Sequence, residues 1–235
     1  MKLTRLAILL LFALSVHAGT AQTLNEILAR YESATGYSAR QKVKTMASIG
    51  RITQMGNTVP VSILQKRPDK YRFDVHLDEG RVTQAYDGIR GWAHVLNNND
   101  TLVLEGPELA QIRESADFDG ILQTYKQKGL SAHLAGKVKV GAREAYKIQL
   151  RKQNGESMNF YLDVNSYLVI KTDVSMLING MPYGAESSFG DFRKVGGMTL
   201  PYFIQSKNGT MITEIRIDTV RINETMEDIY FQWRK

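Results

Sequence analysis

The 235-residue sequence predicts a mainly β protein: a single curled antiparallel sheet of about nine to eleven strands, a half-open β-barrel with helices plugging its concave face. Three observations lead there. Most of the chain beyond residue 42 alternates apolar and polar residues over short runs, the period of strands with one buried face. Asparagine- and glycine-rich breaks of the hairpin type separate those runs, so successive strands become antiparallel neighbours. Only two stretches, 23–34 and 107–128, carry helical periodicity instead. A sheet that wide curls, and its apolar hollow must be filled by side chains, a helix or a ligand.

The chain opens with an expected leader. Lys2 and Arg5 precede an apolar run from Leu6 to Val16 and the small residues of "HAGTA", the layout of a secretory signal peptide. That run is too short to span a bilayer. Cleavage is expected after Ala21, with Val16 and Ala18 offering another site, so residues 1–21 form the signal peptide and 22–235 one exported, soluble domain. Removing Lys2 and Arg5 leaves 28 basic against 24 acidic residues. An excess that small and that dispersed, on an exported chain, excludes nucleic acid as a partner class. The sequence contains no cysteine, which rules out a disulfide framework and lipid attachment through a leading cysteine.

In "TLNE", Thr23 and Glu26 have capping-box spacing, and Leu24, Ile27, Leu28 and Tyr31 recur at helical intervals until Thr35 and Gly36 stop the run. Strands follow at 42–53 and 58–65. In "YRFDVHL", Tyr71, Phe73, Val75 and Leu77 face one way and Arg72, Asp74 and His76 the other. "RVTQAY" leads through the bend Asp87–Gly88 into "IRGWAHVL", and "DTLVLEG" follows the polar loop 97–100. The second helical stretch begins with "PELAQIRES" as a separate or broken piece. Phe118, Ile121, Leu122 and Tyr125 then fall at i, i+3, i+4 and i+7, a stripe that needs an apolar surface to cover. Strand signals resume to the end, with Tyr146, Ile148 and Leu150 on one face and Phe160, Leu162 and Val164 likewise together.

Catalytic patterns are missing. His76, His94 and His133 stand apart, without the H-x-x-H or H-E-x-x-H spacing that aims two imidazoles at one metal. No G-x-S-x-G elbow and no glycine-rich phosphate loop occurs, and Asp87 before Gly88 reads as a turn former. The expectation is a protein that is not an enzyme and holds no metal and no cofactor.

Against this background, "YESATG" (31–36), "RPDKYRFDV" (67–75), "AYDGIRGW" (85–92), "FYLDVNSYLVIK" (160–171) and "FGDFRKVGGMTLPYFI" (189–204) resemble, in order and spacing, the outer-membrane lipoprotein-sorting proteins of the LolA/LolB-like periplasmic carrier family. The resemblance implies a half-open barrel around helices, with a hydrophobic cavity for acyl chains. It also implies lipid-modified proteins or lipids as cargo, exchanged with inner- and outer-membrane transport components without hydrolysis. The chain is expected to be a monomer. The start of the expected mature chain lacks the cysteine of the membrane-tethered receptor branch.

The function expected is that of a soluble periplasmic carrier or chaperone for acyl chains. Candidate lining residues are Phe73, Val75, Trp92, Phe160 and Leu162 on the sheet, with Phe118 and Leu122 on the plug. Alternation alone leaves open which face of the sheet is concave. The alternative is an interaction or envelope-assembly module on the same scaffold, with a packed interior and no lipid transport.

Overall fold

A computed structural model describes residues 22–96, 101–152, 156–178 and 181–233. The expected leader and its cleavage site, the polar stretch 97–100, and residues 153–155, 179–180 and 234–235 lie outside the described residues.

Helix α1 (Leu24–Thr35) begins where its local chemistry dictates. The Glu26 amide donates to Thr23 Oγ1 at 3.3 Å and the Thr23 amide to Glu26 Oε2 at 2.9 Å, which satisfies two of the free donors of the first turn. Gly36 ends it with φ 69°, and a methyl group there would lie 2.0 Å from the Gly197 carbonyl oxygen. Only glycine fits, so "ATG" and "VGG" are fixed by one close approach. The short α2 (Tyr37–Arg40) leads into the first strands, β1 (Thr45–Gln54), β2 (Asn57–Lys66), β3 (Lys70–Leu77), β4 (Gly80–Tyr86), β5 (Gly91–His94) and β6 (Thr101–Leu104). Helices α3 (Gly106–Ala116) and α4 (Ile121–Thr124) follow, then β7 (Ser131–Val140), β8 (Arg143–Arg151), β9 (Ser157–Asp163), β10 (Val169–Ile178), β11 (Met181–Val195), β12 (Met198–Asn208) and β13 (Met211–Ile222).

All these strands join one antiparallel sheet of 13 strands, in the order β6-β5-β4-β3-β2-β1-β13-β12-β11-β10-β9-β8-β7. The count exceeds the expected nine to eleven because runs that read as single strands fold back. One turns between Val140 and Arg143, and another after Asp163, whose carboxylate accepts from the amides of Asn165 and Ser166 at 3.1 and 2.8 Å. The sheet is open, with β6 and β7 as its two edges. That topology explains the helical insertion: the connection from β6 to β7 must travel from one edge to the other, and α3 and α4 make the crossing. They cover the inner face, where α3 packs through Ile112 and Ala116 on Tyr86, Tyr71 and Leu104.

The outer face is crossed by the C-terminal tail. After Asn223, residues 224–231 run over β1, β2, β3 and β5, and Phe231 at the end is fully buried. Asp228 sits between the ammonium groups of Lys66 and Lys70 at 2.7 and 2.8 Å, and hydrogen bonds from both hold its carboxyl down at about 2. A carboxyl depressed in the fold stabilises its contact above its unfolded pKa of about 4 and loses it as pH falls through the folded value. The tail is therefore expected to loosen between about pH 4 and pH 2, which amide exchange of residues 226–231 measures.

Candidate functional site

Besides the cluster under α3, the inner face carries two larger apolar clusters, and one short segment bridges them. The first joins Ile27 of α1 and Leu122 and Tyr125 of the plug segment to Tyr146, Ile148 and Leu150 of β8 and Phe160 and Leu162 of β9. In the second, Phe118 packs with Val43, Met46 of β1, Met198, Leu200 and Tyr202 of β12 and Ile217 of β13. Residues 117–130 thus lie across the middle of the sheet, and Phe118 and Leu122 are each 2 % exposed.

The expected single helical stripe from Phe118 to Tyr125 is not what forms. Gly120 adopts φ 85° and breaks the run, so the helix covers only Ile121–Thr124 and Phe118 precedes it in irregular backbone. The break lets Phe118 point to one cluster and Leu122 to the other. One turn of helix has little stability of its own, so the segment depends on its contacts.

Polar latches supply much of that hold. Arg67 grips Asp119 with both terminal nitrogens at 2.8 and 2.5 Å, donates from Nε to the Val43 carbonyl at 2.8 Å, and lies 4.5 Å above the Phe118 ring. Its hydrogen bonds keep the Asp119 carboxyl below the usual carboxylate range. Arg40 donates to the Phe118 carbonyl at 3.1 Å, and burial lowers its pKa. On the far side Lys128 closes on Asp117 at 2.5 Å. None of this was legible from the sequence, since Arg40, Arg67 and Asp119 meet only through tertiary contact.

Between the plug and β8–β10 a cleft of about 30 Å³ remains, walled by Ile121, Leu130, Leu150, Met158 and Val174. That is room for about one water molecule. At its polar end Lys152 reaches Glu156 at 2.8 Å and Glu114 of α3 at 3.5 Å. These groups are partly exposed, and pairs near the surface contribute at most about 1 kcal/mol. A wider hollow of about 460 Å³ over β10–β12 is lined largely by Asp173, Glu186, Lys207 and glycines, a polar surface unsuited to an alkyl chain.

The candidates from the sequence divide accordingly. Phe160, Leu162 and Leu122 meet in one cluster and Phe118 in the other. Phe73 and Val75 are half-buried on the same inner face of β3, because Phe73 stands opposite Ile63, which packs against the Phe118 cluster, and Val75 opposite the buried Val61. Trp92 has to be moved. It pairs with Ala85, which pairs with Arg72, so it belongs to the outer face, where its indole N–H donates to the Phe231 carbonyl at 2.8 Å. It shares no surface with Phe73 or Phe160. The bend that precedes it is an Asp87 turn, whose carboxylate accepts from the amides of Ile89 and Arg90 at 2.8 and 2.7 Å. Met198, Leu200, Tyr202 and Ile217 join the inner face without having been singled out. Alternation in "MTLPYF" was the available signal.

The sequence matches no protein-family model and no curated protein. Its fold does match solved structures. A LolA superfamily protein from Nitrosomonas europaea superposes with a TM-score of 0.59 at 12% identity, over 91% of this chain and 99% of that one. A DUF1329 family protein from Desulfovibrio piger gives 0.62 at 14% identity, over 88% and 97%. A protein described as an outer membrane lipoprotein-sorting domain, from Vibrio parahaemolyticus, gives 0.56 at 11% identity, over 86% and 95%. The chain has the LolA-like fold, and at such identities the likeness concerns the fold alone. Among the described residues no helix is long and apolar enough to cross a membrane.

Proposed function

We propose that this protein is a non-enzymatic carrier or chaperone that shields acyl chains of lipids or lipoproteins between the inner face of the sheet and the segment 117–130. The observation that carries the reading is the continuity of apolar surface under a weakly structured cover. Ile121, Leu130 and Met158 of the cleft wall pack against the cluster of Leu122, Leu150, Phe160 and Leu162, so the apolar side of the cleft is continuous with it. The conformation described here is then the closed state, and cargo takes the place of the plug side chains.

The magnitudes permit that exchange. Uncovering Ile121, Leu122 and Tyr125 costs about 5–8 kcal/mol, whereas shielding an acyl chain of about 12 methylenes from water returns about 10 kcal/mol. A chain drawn from a bilayer starts in hydrocarbon and gains far less. Uptake from a bilayer therefore approaches balance only because the incoming acyl chain itself re-covers the plug side chains that it displaces. The fold of the lipoprotein-sorting domain supports the same reading, and the leader-like residues 2–21 support work in the periplasm.

A second reading, an interaction module with a packed interior, draws on the small volume of the cleft. Organic extraction of protein produced with its own leader, followed by mass spectrometry, separates the two. Lipid in near-stoichiometric amount is the expected result for the carrier. A lipid-free extract, from protein that also refuses acyl probes after delipidation, would favour the module.

A further inference from the structure

The outer face of the sheet holds a second arrangement, unconnected with acyl binding. Four side chains from four strands each donate to a main-chain carbonyl of the tail. Thr45 Oγ1 reaches the Glu224 oxygen at 2.7 Å, Lys66 Nζ that of Met226 at 2.6 Å, Arg72 Nη1 that of Tyr230 at 2.6 Å and Trp92 Nε1 that of Phe231 at 2.8 Å. All four project from one face, because Thr45 pairs with Lys66, Leu64 with Arg72, and Ala85 with both Arg72 and Trp92. Every peptide offers carbonyl groups, so these donors recognise the path of the backbone, which makes one 3-10 turn at Asp228–Tyr230, and not the sequence. Selectivity comes from two places: the Lys66 and Lys70 ammonium groups around Asp228, and the buried site of Phe231.

The floor is organised independently of the tail. Asp74 and Thr83, 4 % and 2 % exposed, fix Arg72: its Nε donates to Asp74 Oδ2 at 2.7 Å, and Thr83 Oγ1 donates to Asp74 Oδ1 at 2.6 Å. The tail itself contributes little apolar surface beyond Phe231, leaving Ile229 and Tyr230 41 % and 48 % exposed. One buried aromatic anchor, one ionic clamp and a row of main-chain hydrogen bonds are how anchored peptide ligands are held.

We infer that the outer face of β1–β5 is a receptor groove for a peptide with an acidic residue three positions before an aromatic one, the two joined by a single 3-10 turn, filled in cis by residues 223–231. Its partner is a protein segment of that chemistry, which enters when the tail yields. A tethered occupant competes at an effective concentration of about millimolar, so the groove of the intact chain binds a free peptide weakly.

The test uses the full chain and a fluorescein-labelled peptide of the sequence NETMEDIYF, read by fluorescence anisotropy. Phe231→Ala removes the tail's anchor and is expected to raise peptide affinity at least tenfold over the unaltered chain. Changing the peptide's aspartate to lysine, or its phenylalanine to alanine, should abolish the gain. Asp228→Asn, at an exposed position that leaves the core untouched, is the second variant and should raise affinity several-fold even if Phe231→Ala folds poorly. Absence of saturable peptide binding to the folded Asp228→Asn variant overturns the inference. Concentration-dependent dimers of that variant without peptide binding also overturn it, and give the groove to the tail of a second copy.

Discussion

Leu122→Ala is expected to lower stability by about 2–5 kcal/mol and, in the folded variant, to increase uptake of a long-chain acyl probe. The first effect follows from burial: Leu122 is 2 % exposed between Ile27, Ile148, Phe160 and Leu162, and truncation leaves a cavity that a packed sheet cannot collapse. The second follows from where the loss falls. If the plug side chains leave the cluster when cargo enters, the loaded state covers less of Leu122 than the closed state does, and the closed-to-open equilibrium shifts by the difference. Apparent affinity rises with the competent fraction, up to the point where the open state dominates. Leu122→Asp goes further, since a carboxylate in the cluster is costly in the closed state and drives the plug out. Thermal melting beside probe titration distinguishes a plug from a simple core residue. A plain core position loses stability without any gain in uptake.

Arg67→Ala should cost about 2–4 kcal/mol, because it leaves the half-buried Asp119 unpaired and the Val43 and Arg40 carbonyls without their donor. Arg67→Lys should recover only part, since an ammonium cannot form the two-pronged contact with Asp119 or lie flat on Phe118. The pair also fixes a pH response. Hydrogen bonding to Arg67 holds the Asp119 pKa low, so its contribution is complete above the unfolded value of about 4 and vanishes as pH falls through the lower folded value. Melting temperatures of the unaltered chain should drop over that acid range more steeply than those of Arg67→Ala. Parallel profiles would show that the latch carries no stability.

These contacts mark where the sequence was readable and where it was not. The start of α1 was legible because Thr23 and Glu26 act on amides three residues away. The facing of β3 was legible because Tyr71, Phe73, Val75 and Leu77 alternate with charged neighbours. Trp92 was misplaced because its face depends on how many residues the Asp87 bend consumes, and a shift of one reverses every side chain that follows. The spacing from Phe118 to Tyr125 matched a helix, but Gly120 interrupts it, and nothing local reveals that the two halves serve different clusters. The tail offered no periodicity at all. Its place follows from long-range contacts of Lys66, Lys70, Arg72 and Trp92 with residues 226–231.

The central claim, an acyl chain held beneath the 117–130 segment, is tested most directly by photolabelling. A long-chain fatty acid bearing a diazirine near its methyl end is bound to the delipidated full chain, irradiated, and the modified residues mapped by mass spectrometry. The expected result is labelling of Leu150, Met158, Phe160, Leu162 and the facing Ile121 and Leu122, suppressed by excess unlabelled lipid. No labelling, or labelling confined to exposed apolar residues at hairpin tips such as Met55 and Ile89, would contradict it.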